Sequence, residues 1–111
     1  MIKVTFYTHN EKYVKLVSKG HAGFAERGED IVCSAISSIT QSLALGILKV
    51  LNLNAEYKID EESGYLELRL PEIKDEIVLG QAQVLFKTCY EALKDFQIGY
   101  PSNIKVEERR L

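Results

Sequence analysis

The chain has 111 residues, room for one domain spanning 1–111 and no more. Hydrophobic residues at 46%, charged residues at 27% and a formal net charge of −2 exclude a disordered chain and a general attraction to nucleic acid or acidic lipid. Two cysteines, Cys33 and Cys89, are too few for a disulfide framework and point to a reducing, cytoplasmic compartment.

The opening run Met-Ile-Lys-Val-Thr-Phe-Tyr-Thr lacks the apolar core of a signal peptide. Its alternation from Ile2 to Thr8 predicts a half-buried strand. A polar turn, His9-Asn10-Glu11-Lys12, leads to a hairpin partner from Tyr13 to Ser18. Lys3, Lys12, Lys15 and Lys19 concentrate in this hairpin, and without a basic aromatic run they read as a solvated face. From Lys19 to Asp30 periodicity stops and Gly20, Gly23 and Gly28 predict a mobile loop.

A long helix is expected from Ile31 to about Leu51, with Val32, Ala35, Ile36, Ile39, Leu43, Ile47 and Val50 on its apolar stripe. No residue from Ile31 to Leu48 is charged, but Ser34, Ser37, Ser38, Thr40, Gln41 and Ser42 are too polar for a membrane span. The face holding Ser34, Ser38, Gln41 and Leu45 carries no Lys or Glu, so it is expected to lie under the other helix or a second subunit. Ala55–Asp60 and Tyr65–Leu70 form two strands around the turn Glu61-Glu62-Ser63-Gly64, with Pro71 ending the second. A second helix runs from about Asp75 to Phe96, burying Val78, Ala82, Leu85, Cys89, Ala92, Leu93 and Phe96, and stops at Gly99 and Pro101. A short strand over Asn103–Glu107 completes ββαββα(β): an α+β two-layer sandwich, mainly antiparallel, with both helices on one face.

Cys33 is the candidate nucleophile. With Asp30 as N-cap it falls in the first turn of the helix, where the amide field favours a thiolate and the same amides can donate to an oxyanion. Helical spacing sets Asp30 and Ser37 beside it. An isolated cysteine at the edge of a core stripe is ordinarily packing. The feature that lifts Cys33 above that is His21, at the junction of a strand and a glycine-rich loop leading into the same helix, where it can serve as base. Cys89 sits inside the second helix's apolar stripe and reads as core; His9 lies in a turn. No chelating pair of short spacing supports a metal site, no cofactor is implied, and Glu61 and Glu62 read as turn charges.

The run Gly20-His21-Ala22-Gly23-Phe24-Ala25-Glu26-Arg27-Gly28-Glu29-Asp30-Ile31-Val32-Cys33-Ser34-Ala35-Ile36-Ser37 closely resembles the signature of the ribosomal-processing cysteine protease (Prp) family: Gly-His-Ala, a glycine-containing loop, Asp-Ile-Val-Cys, and a serine four residues on. Ser34 departs from it, standing where alanine is more usual. The resemblance implies a homodimeric bacterial enzyme that removes a short N-terminal extension from a large-subunit ribosomal protein, cutting after an apolar, Phe-containing motif. Carried over by position, His21 and Cys33 are its catalytic pair and Gly20, Asp30 and Ser37 supporting positions. The expected chemistry is peptide hydrolysis through a thioester, with the loop Ala22–Glu29 closing over the peptide and Phe24 touching it. The competing readings are a non-enzymatic ribosome-associated module whose hairpin lysines contact RNA, and a thiol redox sensor or acyl transferase. The redox reading lacks a suitably placed resolving cysteine.

Overall fold

A computed structural model describes residues 1–21 and 27–111, with 27–30 described by their backbone. The initial alternation becomes β1 (Ile2–His9), which turns through Asn10 and Glu11, at φ 51° and 64°, into β2 (Lys12–Lys19). Next come α1 (Arg27–Leu45), a wide π turn (Gly46–Val50), β3 (Glu56–Asp60), β4 (Tyr65–Arg69), α2 (Glu76–Gly99) and β5 (Ile104–Arg110). The expected order ββαββαβ is the one observed. The strands form a five-stranded sheet in the order β3-β4-β2-β1-β5. Two antiparallel hairpins join through β2 and β4, and α2 carries the chain back so that β5 runs parallel to β1.

One face of this sheet is apolar because the two-residue period places Ile2, Val4, Phe6, Leu16, Leu66, Leu68, Ile104 and Val106 together. Onto it α1 sets Val32, Ile36, Leu43 and Ala44, the π turn sets Ile47, and α2 sets Ala82, Phe86, Cys89 and Leu93. Ile31–Val50 is long and apolar enough to cross a membrane by length and composition, but its inner face is occupied by the sheet. The Phe86 ring lies stacked on Tyr13 at 5.9 Å and edge-on to Phe6 at 6.5 Å.

Several local expectations differ. The first helix begins one turn earlier than Ile31, at Arg27, so Asp30 lies inside it and is not its N-cap. At the other end Leu51 N donates to Gly46 O at 2.9 Å, an i→i−5 bond that widens the turn, rotates the stripe and leaves Val50 exposed. In α2 the stripe runs through Phe86, which the aromatic cluster buries completely, while Ala92 is exposed on the flank. Ser34, Ser38, Gln41 and Leu45 are exposed, so α2 does not cover the uncharged face of α1.

The hairpin lysines Lys3 and Lys15 lie on the sheet's outer face and are engaged there. Lys3 pairs with Glu107 at 3.3 Å, and Lys15 sits over the Tyr7 ring and 4.0 Å from Glu67. Glu67 is buried on β4, an interior strand of the sheet, and Tyr65 Oη donates to it at 2.6 Å. That donated bond holds the Glu67 carboxyl below the usual carboxylate range; burial opposes the shift and the charges of Lys15, Lys58 and Arg69 assist it. A carboxyl lowered by folding stabilises above its unfolded pKa, and the contribution fades as pH falls through the lower folded value. Tyr65→Phe is expected to cost about 1 kcal/mol near neutrality. Thermal melts from pH 7 to pH 3 should show the gap to wild type narrowing at the acid end; a constant gap would assign the contact to packing instead.

Candidate active site

Where β2 ends, the backbone is too crowded for a side chain. Gly20 has φ +103°, and a Cβ there would lie 2.5 Å from the Met1 carbonyl oxygen. Gly20 N donates to Gly64 O at 3.0 Å, which extends the β2–β4 pairing into the β3–β4 turn. His21 follows directly. Its own carbonyl accepts from the Met1 ammonium at 2.7 Å, and its exposed ring places Nε2 3.1 Å from the carbonyl oxygen of Glu62. The turn presenting that carbonyl is fixed by Asp60, whose Oδ1 accepts from Glu62 N at 3.1 Å and Ser63 N at 3.4 Å.

Beside this lies a cleft of about 350 Å³. Cys33, Ser34, Ser37, Thr40 and Gln41 of α1 form one wall, and Ser18, Gly20 and His21 form the second. Ile59, Asp60, Glu61, Gly64, Tyr65 and Leu66 of the β3–β4 hairpin form the third. The fold therefore brings His21, Cys33, Gly20 and Ser37 to one cavity from separate elements. Cys33 is half-buried and packs against the hydrophobic core on one side while lining the cleft on the other, as its place at the edge of the stripe predicts. The helix field expected to act on Cys33 is displaced: with α1 starting at Arg27, the unpaired first-turn amides lie a turn before it. The Asp30 side chain and residues 22–26 of the loop expected to close over peptide, Phe24 among them, lie outside the described residues, while Arg27–Glu29 of that loop are helix. The acidic turn, whose Glu61 and Glu62 read from sequence only as turn charges, proves to be a wall of the cleft and the partner of His21. Gly64 was the available signal, since a missing Cβ is what permits the close approach of the turn to Gly20 and His21.

Among the described residues no group of three His, Cys, Asp or Glu is placed to hold a metal ion. A thiol and an imidazole lining one cleft is the arrangement of a thiol-dependent hydrolase. The family model described as "Cysteine protease Prp" matches residues 1–105, and the chain belongs to that family; it is a cysteine protease. It is 26% identical over 107 residues to the ribosomal processing cysteine protease Prp of Bacillus subtilis, covering 96% of each chain. It is 34% identical over 110 residues to that of Mycoplasma pneumoniae, covering 99% of this chain and 97% of the relative. Crystal structures that share the fold include the following two. SMU.848 from Streptococcus mutans has TM-score 0.88 and 24% identity, with 100% of this chain and 96% of that one covered. Prp from S. aureus in complex with a substrate peptide has TM-score 0.84 and 23% identity, with 98% and 100% covered.

The two thiols stand in opposite environments. Cys89 is buried between the helices and the sheet, and burial pushes its thiol up to about 12. Iodoacetamide at pH 8 is expected to label Cys33 at least about tenfold faster than Cys89. Peptide mapping by mass spectrometry checks this; equal rates would show that the cleft does not expose the Cys33 thiol.

Proposed function

We propose that the chain is an endopeptidase that removes the short N-terminal extension of a large-subunit ribosomal protein, using Cys33 as nucleophile and His21 as its base. The observation that carries this is the convergence of His21 and Cys33 on one cleft in a member of the cysteine protease Prp family. The curated relatives are ribosomal processing proteases, and the S. aureus protein has been crystallised with a substrate peptide and with a covalently linked product peptide.

In this mechanism His21 takes the Cys33 proton and the thiolate attacks the scissile carbonyl carbon. As the tetrahedral intermediate collapses the C–N bond breaks, and the imidazolium returns its proton to the leaving amine. A thioester joins Cys33 to the new C-terminal acyl group. Water, deprotonated by His21, adds to the thioester; expulsion of the thiolate releases the carboxylate, and the proton returns to the dyad. The half-buried thiol has a firm base in the core, and the exposed imidazole has access to water. Neither a metal nor a cofactor enters any step.

The expected substrate is a peptide spanning the extension and its apolar, Phe-containing motif. The wild-type protein should cut it at one bond, and Cys33→Ala and His21→Ala should each lower the rate by more than about 10³-fold. Mass spectrometry of the products decides it: normal cleavage by either variant would end the dyad assignment, and an uncut peptide with wild type would end the substrate assignment.

The protein works as a cytoplasmic homodimer in this reading. The uncharged outer face of α1, exposed in the single chain, supports a second copy there, with Leu45 52% exposed at its C-terminal end. Leu45→Glu is expected to convert the dimer to monomer in light scattering; a dimer of unchanged strength would move the interface elsewhere.

A further inference from the structure

We propose that the β3–β4 turn is the third member of the site: the main-chain carbonyl of Glu62 holds His21 in its Nε2–H form, so that Nδ1 takes the Cys33 proton, and Gly64 is the positioning residue that permits it. This rests on the assignment of His21 as base.

The contact itself assigns the proton. A peptide carbonyl oxygen has only lone pairs, so an Nε2 at 3.1 Å from Glu62 O is hydrogen-bonded only when Nε2 carries hydrogen. A neutral imidazole has one N–H, which leaves the Nδ1 lone pair available. When Nδ1 accepts the proton from Cys33 Sγ, the ring becomes imidazolium and its Nε2–H remains on Glu62 O. Nδ1 then returns that proton to the leaving amine, and the ring is neutral again in the same tautomer. The carbonyl thus takes the orienting role that a carboxylate or side-chain amide serves in other thiol and serine hydrolases.

Rigidity supports a positioning role. The Glu62 carbonyl belongs to a turn braced from both sides, by Asp60 Oδ1 on Glu62 N and Ser63 N and by Gly64 O on Gly20 N. The main chain of His21 is braced in turn through Met1. Between these two supports lies Gly64. A Cβ on it would stand 2.5 Å from Gly20 O and 2.9 Å from His21 Cε1, the ring carbon between the two nitrogens. No flexible side-chain end can yield at the first of these contacts, because it is backbone. Any side chain at position 64 must therefore separate the turn from the Gly20-His21 segment and pull the ring off Glu62 O.

Two variants separate this displacement from simple backbone strain. Gly64→Ala carries both the Cβ and an unfavourable positive φ. Gly64→Asn carries the same Cβ but tolerates the left-handed φ of +64° better, so it should be less destabilised than Gly64→Ala and remain folded. Both are expected to lower kcat on the extension peptide about 10²-fold with KM within about threefold of wild type. In wild type labelled with ¹³C and ¹⁵N at alkaline pH, without peptide, Nε2 should carry a slowly exchanging proton with a through-hydrogen-bond coupling to the Glu62 carbonyl carbon. Both signals should vanish in Gly64→Asn. Either of two results would overturn the proposal: folded Gly64→Asn with kcat within about twofold of wild type, or wild type protonated on Nδ1 or lacking the coupling. The NMR arm uses no substrate, so failure of the peptide assignment is distinguishable from failure of the tautomer assignment.

Discussion

The antiparallel pairing of β2 with β4 joins what would otherwise be two separate hairpins. Its register, with Leu16 opposite Leu68 and Ser18 opposite Leu66, sets the apolar positions of both hairpins on one face. That face is what α1 and α2 cover, so a slip of one residue would turn the core outward. The same pairing continues past the last strand residues into the Gly20 N to Gly64 O bond. At that point the ladder ceases to be only architecture. It presses the β3–β4 turn against the segment carrying His21, and two glycines with positive φ make the approach possible.

Cys33 reaches the site by a different route. It is carried on α1, whose docking is decided by Val32 and Ile36 against the sheet. Its neighbours on the apolar stripe anchor the helix, and its place at the stripe's edge leaves the sulfur on the cleft wall. A residue one step further into the stripe would share the fate of Cys89, whose thiol burial pushes up to about 12 and removes from nucleophilic chemistry. Cys33 and His21 are thus supported independently, one by helix packing and the other by a main-chain hydrogen-bond frame.

Much of this was legible in the chain before any coordinates. Alternation marked β1, the long uncharged run marked α1, and turn residues marked both hairpins, because these signals are local. The errors were also local in origin. Asp30 looked like a cap because capping chemistry is written in three or four residues, yet α1 starts at Arg27. Val50 looked buried because a uniform 100° step was extended across a turn that widens at Gly46. Phe86 carries no local sign of its burial, because the aromatic cluster that buries it draws on β1 and β2, far away in the chain.

By itself the sequence determined the α+β element order, the pair His21 and Cys33 as candidates, and the family through the Gly-His-Ala to Asp-Ile-Val-Cys run. Those depend on residue type and on separations along the chain. Only the tertiary structure decided that the acidic hairpin turn forms a wall of the same cleft, and that the Glu62 carbonyl faces His21 Nε2 at 3.1 Å. A backbone carbonyl is present at every position and so carries no signature in sequence. Its role arises from strand pairing that brings residues 20–21 and 62–64 together, and from a glycine whose missing Cβ leaves room for the ring.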